Sequence, residues 1–399
     1  MPHSRTPRSA VLPTPTDEAL AHHQRLVERI RSEIVAAGGQ ITFARFMELA
    51  LYAPGLGYYV AGQQKFGREG DFITAPELSP LFSRCLARQC QQIFAANVPR
   101  HILEFGAGSG VMAAHILTEL ETLGAPPERY EILELSAELQ QRQRATIEQH
   151  APHLANRVAW LSELPEPGWK GIILANEVLD AMPVHAVTFD ASGNWERYVK
   201  LDGEEFAWDL GPLSNSALAA EATRVRDELG ADWPEHYETE IGIAGQGWIR
   251  SLGTLLAEGA ILAIDYGFPE HEYFHPDRAQ GTLMCHYRHR AHTDPLTLAG
   301  LQDITAHVDF SSIANAAVSV GLHVDGFTSQ AYFLLGCGLD KFLTKEQEKD
   351  DKAYFSATTQ AKLLTLPSEM GELFKVIALT KNIDVSLMGF AAYDQRRRL

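Results

Sequence analysis

Six apolar stretches predict buried strands: Ile102-Leu-Glu-Phe105, Tyr130-Glu-Ile-Leu-Glu-Leu-Ser136, Gly171-Ile-Ile-Leu-Ala-Asn176, Gly259-Ala-Ile-Leu-Ala-Ile-Asp-Tyr-Gly267, Val324-Asp-Gly-Phe-Thr-Ser-Gln-Ala-Tyr-Phe-Leu-Leu335 and Phe374-Lys-Val-Ile-Ala-Leu379. Helical spacing appears elsewhere. Leu20, Leu26, Ile30 and Ile34, then Phe43, Phe46, Leu49 and Leu51, recur at intervals that predict a helical N-terminal module. A helix from Gln246 and a charged helical stretch over 340–364 lie further on. Strands alternating with helices at this spacing predict a parallel α/β sheet. Residues 187–245 differ: Trp195-Glu-Arg-Tyr-Val-Lys-Leu201 alternates like a hairpin strand with Gly203 as its turn, and reads as an insertion facing a substrate.

The first strand runs straight into Gly106-Ala-Gly-Ser-Gly110 and then into a helix. Glycines let the backbone turn tightly and approach a ligand, and a helix start offers it unpaired N–H groups. The dinucleotide fingerprint G-x-G-x-x-G requires its third glycine where Val111 stands, so the register excludes that reading. Glu104, two residues before the turn, repels a pyrophosphate but suits a cationic ligand bearing an amino acid. S-adenosyl-L-methionine (SAM) is such a ligand. Glu134, at the end of the second strand, sits where an acid accepts both hydroxyls of a ribose. The third strand stops at Asn176, Glu177 and Asp180, which puts three polar side chains at the sheet's carboxyl edge.

Composition narrows the partners. Acidic residues outnumber basic ones, 51 to 34 in 399 residues, which repels nucleic acid and anionic membrane. An apolar fraction of 45% fills a sizeable core, while no apolar run approaches the roughly 20 residues of a membrane helix. Four cysteines without a C-x-x-C pair read as core thiols in a reducing compartment. The basic first residues resemble a mitochondrial presequence in charge. Pro2, Pro7, Pro13 and Pro15 oppose the amphipathic helix such a signal needs, so a bacterial, cytoplasmic protein with a disordered tail is expected over a mitochondrial matrix one.

Two histidine patterns are decoys. His271-Glu-Tyr-Phe-His275 matches the zinc-protease motif, yet Pro269 and Pro276 bracket it too closely for a supported helix, and His286, His289 and His292 read as loop residues, so no metal is expected. The segment Lys65–Ser79 is a polar loop ending at a helix start near Thr74, with Pro76 in the first turn. Asp303 and Thr305 either contact a site or cap a helix.

Taken together, the 67–77 loop, Glu104-Phe-Gly-Ala-Gly-Ser-Gly110, Ala175-Asn-Glu-Val-Leu-Asp-Ala-Met-Pro-Val184, Asp265-Tyr-Gly267 and Asp303-Ile-Thr-Ala-His-Val-Asp-Phe310 resemble, in order, the motifs of the MidA-like class I SAM-dependent methyltransferases. The resemblance covers about residues 26–381; Met182 departs from the Leu expected there, and the first 25 residues look unrelated. It implies a class I methyltransferase-like, doubly wound, mostly parallel sheet. It also implies this organisation: tail 1–16, helical and loop module 17–75, core 76–186, insertion 187–245, core 246–385 with a helical insertion, and tail 386–399. By resemblance Gly70, Asp71 and Thr74 close over the methionine end of SAM, joining Glu104, Gly106, Gly108, Gly110 and Glu134 as cofactor contacts. Asp265, Tyr266, Asp303 and His307 fall to the substrate. The family includes a mitochondrial complex I assembly factor that methylates a protein arginine, so a protein substrate is implied.

Methyl transfer from a sulfonium is an in-line displacement, in which alignment supplies roughly 7–11 kcal/mol of the barrier. An arginine nucleophile, with a pKa above about 12, needs carboxylates that hold it and receive its proton. Glu177 and Asp180, three residues apart, are expected on one side of a first helical turn. Asn176 and Glu177 then orient the substrate, and Asp180 binds the guanidinium or caps the helix. Two alternatives stay open: a small-molecule methyltransferase, which a narrow apolar pocket in 187–245 favours, and a non-catalytic assembly chaperone that binds SAM structurally.

Overall fold

A computed structural model describes residues 12–60, 74–229 and 234–399. The described residues form two compact units. Residues up to 60, 181–245 and 272–307 build the first, and residues 74–180, 246–271 and 308–399 the second.

The second unit is a sheet whose spatial order is His323–Ser329, Phe374–Lys381, Leu256–Phe268, Trp169–Asn176, His101–Phe105, Arg129–Leu133 and Val158–Leu161. From Leu256–Phe268 to Val158–Leu161 all neighbours are parallel, whereas Phe374–Lys381 runs antiparallel to both of its own. The chain winds outward from His101–Phe105 to Val158–Leu161, then crosses back to the other side at Trp169–Asn176. This is the doubly wound α/β architecture that the alternation of strands and helices predicts. The winding reverses between His101–Phe105 and Trp169–Asn176, and in open α/β sheets ligands bind beyond the strand ends at such a reversal. Helices cover the sheet: Phe82, Cys85 and Leu86 of Pro80–Ala95 and Ile116 and Leu117 of Val111–Thr122 join Ile102, Ile132, Ile172 and Leu174 in one core. Burial on both faces explains why these strands read as continuous apolar runs.

The first unit is antiparallel. Its main sheet orders Gln40–Thr42, Gly193–Asp202, His185–Asp190 and His236–Ile241, with Glu205–Gly211 also paired to Gly193–Asp202. Gly203, at φ 59°, makes the hairpin turn. Leu26, Ile30 and Ile34 of the helix Asp17–Ala36 pack with Phe43 and Phe46 of Phe43–Tyr52, and Thr16 and Thr42 cap the two helices. A three-stranded sheet, Arg290–His292, Met284–Tyr287 and Asp303–Thr305, completes this unit. All four cysteines are buried free thiols, and no described helix is long and apolar enough to cross a membrane.

Two local expectations change. The stretch 324–335 is strand only to Ser329; Gln330–Gly336 is helical, because a short apolar run such as Ala-Tyr-Phe-Leu-Leu does not distinguish strand from buried helix. The strand ending in Glu134 stops at Leu133, which leaves Glu134 one residue beyond the sheet.

In mid-sheet, Gly259 pairs with Gly171 at φ 134°, and a Cβ there stands 1.8 Å from the Gly171 carbonyl oxygen. Strand separation and backbone strain both oppose any side chain. Gly259→Ala should therefore cost about 3 kcal/mol of stability, read as a lowered urea midpoint; an unchanged midpoint refutes this packing.

Candidate active site

Three structural devices meet at the carboxyl edge of the second unit's sheet. The first is the glycine turn after His101–Phe105. Gly106, Gly108 and Gly110 all lie in the left-handed region, at φ 65°, 51° and 84°, which non-glycine residues rarely adopt. Gly110 begins the helix Val111–Thr122 with no side-chain cap, so its first amides face the turn. A Cβ on Gly108 meets no atom within 4 Å, whereas one on Gly106 lies 2.9 Å from Cγ2 of Val178. The turn is thus open at Gly108 and abuts the next device at Gly106. Ser109 donates to the Glu77 carboxylate of the short helix Ala75–Leu78, which fixes the turn from outside.

The second device is the loop after Trp169–Asn176. Asn176 Nδ2 donates to Glu177 Oε1 at 3.0 Å, and Asn176 Oδ1 is a buried acceptor with no partner among the described residues. Glu177 takes φ 54°, a left-handed conformation costly for a side-chain-bearing residue, while its N–H donates to the Ile264 carbonyl at 2.9 Å. No helix follows. Asp265 Oδ2 instead accepts the amides of Val178, Leu179 and Asp180 at 3.1, 2.9 and 3.2 Å, and Oδ1 accepts that of Tyr266 at 2.9 Å. The expected helical turn at 177–180 is corrected accordingly, because a carboxylate has captured the amides a helix start would leave open, and helix capping falls away as a role for Asp180. Asp265, expected at the substrate, is buried and committed to main chain. Burial, reinforced by the charges of Asp180 and Glu177, pushes its carboxyl well above the usual range, against the pull of the amides.

The third device is Glu134, beyond Arg129–Leu133. Its Oε1 accepts the Ser136 amide at 2.9 Å and its Oε2 the side-chain amide of Gln143 at 3.1 Å. Burial raises its carboxyl, and those two bonds oppose the rise.

The remaining expected residues divide. Glu104 is wholly buried beneath the turn, where Tyr130 donates to its Oε2 at 2.6 Å and Oε1 has no partner among the described residues. It lies on the strand that leads directly into the turn. Thr74 precedes Ala75–Leu78 without a side-chain capping bond, and Gly70 and Asp71 lie outside the described residues. Tyr266 packs edge-on against Phe374 with ring centroids 5.4 Å apart. Asp303 and His307 belong to the first unit, where Tyr59 donates to Asp303 at 2.8 Å and the His307 amide donates to Thr282 Oγ1 at 3.1 Å. Sequence reading missed Gln143, which carries no local signal; Ser109 and Glu77 both lie in motifs it quoted, without a role assigned to either.

This edge fits a cofactor with an amino-acid end and a ribose: an open glycine turn, an orphaned buried acceptor at Asn176 and an acid beyond the neighbouring strand. The family model described as "Putative S-adenosyl-L-methionine-dependent methyltransferase" matches residues 85–328, more than half of the chain. The chain belongs to this family. Among its relatives, "Protein arginine methyltransferase NDUFAF7, mitochondrial" of Mus musculus is 30% identical over 86% of this chain and 82% of its own. The Drosophila melanogaster homolog of that name is 28% identical over 92% and 87%. A crystal structure from Burkholderia thailandensis bound to S-adenosyl-homocysteine is 48% identical and superposes with a TM-score of 0.93 over 97% of this chain and all of that one. The protein is a SAM-dependent methyltransferase, and SAM is its cofactor.

In this methyltransferase, burial lifts the Glu104 carboxyl from an ordinary value of 4.5 to about 7. A folded-state value above the unfolded one contributes stability that is complete below pH ~4 and is lost as pH rises through 7. Relative to Glu104→Gln, the wild type should lose about 3 kcal/mol between pH 4 and pH 7.5, followed by urea denaturation across that range. A difference that stays flat with pH means Glu104 is not a buried ionisable group.

Proposed function

We propose that the methyltransferase methylates an arginine of a protein, with a respiratory complex I-type subunit as the substrate class that the family resemblance suggests. The observation that carries this reading is the Asn176–Glu177 pair on a rigidly held loop beside the glycine turn. When bound, SAM supplies an electrophilic methyl on a sulfonium. Asn176 fixes the plane of the Glu177 carboxylate by donating to its Oε1. A carboxylate so fixed accepts guanidinium N–H bonds, orients one nitrogen for in-line attack and takes up the proton that the methylated nitrogen releases. Asp180, on the same loop and nearly buried, adds negative charge that favours a cationic substrate. Asp265 acts through this loop and positions it. The printed names of the mitochondrial relatives support arginine as the acceptor.

The first unit carries an open groove. It encloses about 570 Å³ and is lined by Arg45, Glu48, Tyr52, Pro183, His185 and Ile243, among others. Arg45 is shared between Glu33 and Glu48, and His185 Nδ1 lies 2.7 Å from the buried carboxylate of Glu196. Among the charged lining residues Glu48 and Arg45 pair with each other at 2.8 Å. Higher identity to the Burkholderia protein than to the mitochondrial ones, 48% against 30%, supports a bacterial cytoplasmic setting.

The reading is tested by incubating the protein with methyl-labelled SAM and lysate from a strain lacking it, then analysing the amino acids of labelled protein. Methylarginine is the expected product. Label confined to small molecules would replace this reading with the small-molecule one, and SAM binding without transfer would replace it with the assembly-chaperone one. Glu177→Gln should lower turnover at least ~100-fold while leaving the calorimetric affinity for SAM within about twofold; normal turnover removes Glu177 from the mechanism.

A further inference from the structure

Gln143 is the one fully buried glutamine of the helix Ala137–His150, on a helix otherwise rich in exposed polar residues. An amide without solvent must find partners in the protein, and here their identities fix its orientation. Trp160 Nε1 stands 2.8 Å from Gln143 Oε1. An indole nitrogen can only donate, so the amide oxygen must face Trp160 and the NH₂ must face away. On that far side are two acceptors, the Gly108 carbonyl oxygen at 3.1 Å and Glu134 Oε2 at 3.1 Å. The guanidinium of Arg144 lies 3.8 Å over the Trp160 ring and holds the indole in place. A Cβ on Gly110 stands 2.9 Å from the Gln143 Cα, so the glycine turn packs directly on this helix backbone.

We propose that Gln143 is a positioning residue for the cofactor. It ties the glycine turn to the Glu134 carboxylate and sets both as one preorganised surface. One NH₂ group spans the Gly108 carbonyl and the acid beyond the neighbouring strand, so neither moves without the other. Trp160 is the lock on the amide's orientation: without its N–H, the amide can rotate and present oxygen to two acceptors. The tie to Glu134 rests on reading that acid as the cofactor's ribose contact. The tie to Gly108 does not.

Calorimetry with S-adenosyl-homocysteine as the probe, alongside steady-state kinetics in SAM, separates these claims. Gln143→Leu should raise the Kd at least ~10-fold and raise the KM for SAM in parallel, while kcat falls less than about threefold. Gln143→Glu, close to the native shape, retains the acceptor for Trp160 but sets a carboxylate against Glu134, and should weaken the probe further than Gln143→Leu. Trp160→Phe should raise the Kd several-fold in the wild type and add little in the Gln143→Leu background. Glu134→Gln tests the ribose reading by itself: an unchanged Kd discards that reading, and a weakened Gln143→Leu then locates the effect at Gly108. The proposal is overturned if Gln143→Leu and Gln143→Glu both bind the probe within twofold of wild type, or if KM stays constant while kcat and the unfolding midpoint fall together. Should Gln143→Leu fail to fold, the Trp160→Phe and Gln143→Glu affinities carry the same decision.

Discussion

The candidate site depends on the grip of one buried carboxylate on a loop that has no helix to hold it. The chain leaves Trp169–Asn176 through a left-handed Glu177, and the next three amides point inward, where water cannot satisfy them. Asp265, at the same height on the adjacent parallel strand, accepts all three with one oxygen. Buried main-chain donors must be paired, and one carboxyl oxygen pairs all three here. Burial and the charges of Asp180 and Glu177 oppose the ionisation of Asp265 and outweigh the amides that favour it, so the loop is held at the cost of a carboxyl raised well above its usual range.

The sheet was legible in the sequence because its strands are buried on both faces and stop at residues with unmistakable chemistry. The same holds for the glycine turn: three positive φ angles in five residues leave a signature that no tertiary neighbour is needed to produce. What was not legible lies in side-chain direction. Asp265 and Glu104 both read as acids at or near strand ends, and nothing in their local sequence says that one bonds a loop and the other a tyrosine. Gln143 sits in the run Gln-Gln-Arg-Gln-Arg, indistinguishable from its exposed neighbours until the partners of each are known. The spacing of Glu177 and Asp180 suggested a helix, and the amides that would have begun one were taken by a residue 85 positions away.

The two parts of the candidate site are held by different means. Backbone conformation and amide-to-acid bonds shape the glycine turn and the Glu134 side. A single carboxylate and one side-chain amide shape the acceptor loop.

The position of Phe374–Lys381 has a consequence for synthesis. The last strand among the described residues is an interior one, seated between Leu256–Phe268 and His323–Ser329. During translation the sheet therefore waits with a gap beside Leu256–Phe268 until Phe374–Lys381 has left the ribosome. Long-range pairing of this kind is slow, and an unpaired strand edge invites other chains. A truncation that removes Phe374–Lys381 yet spares every residue of the cofactor edge still leaves the sheet unable to close.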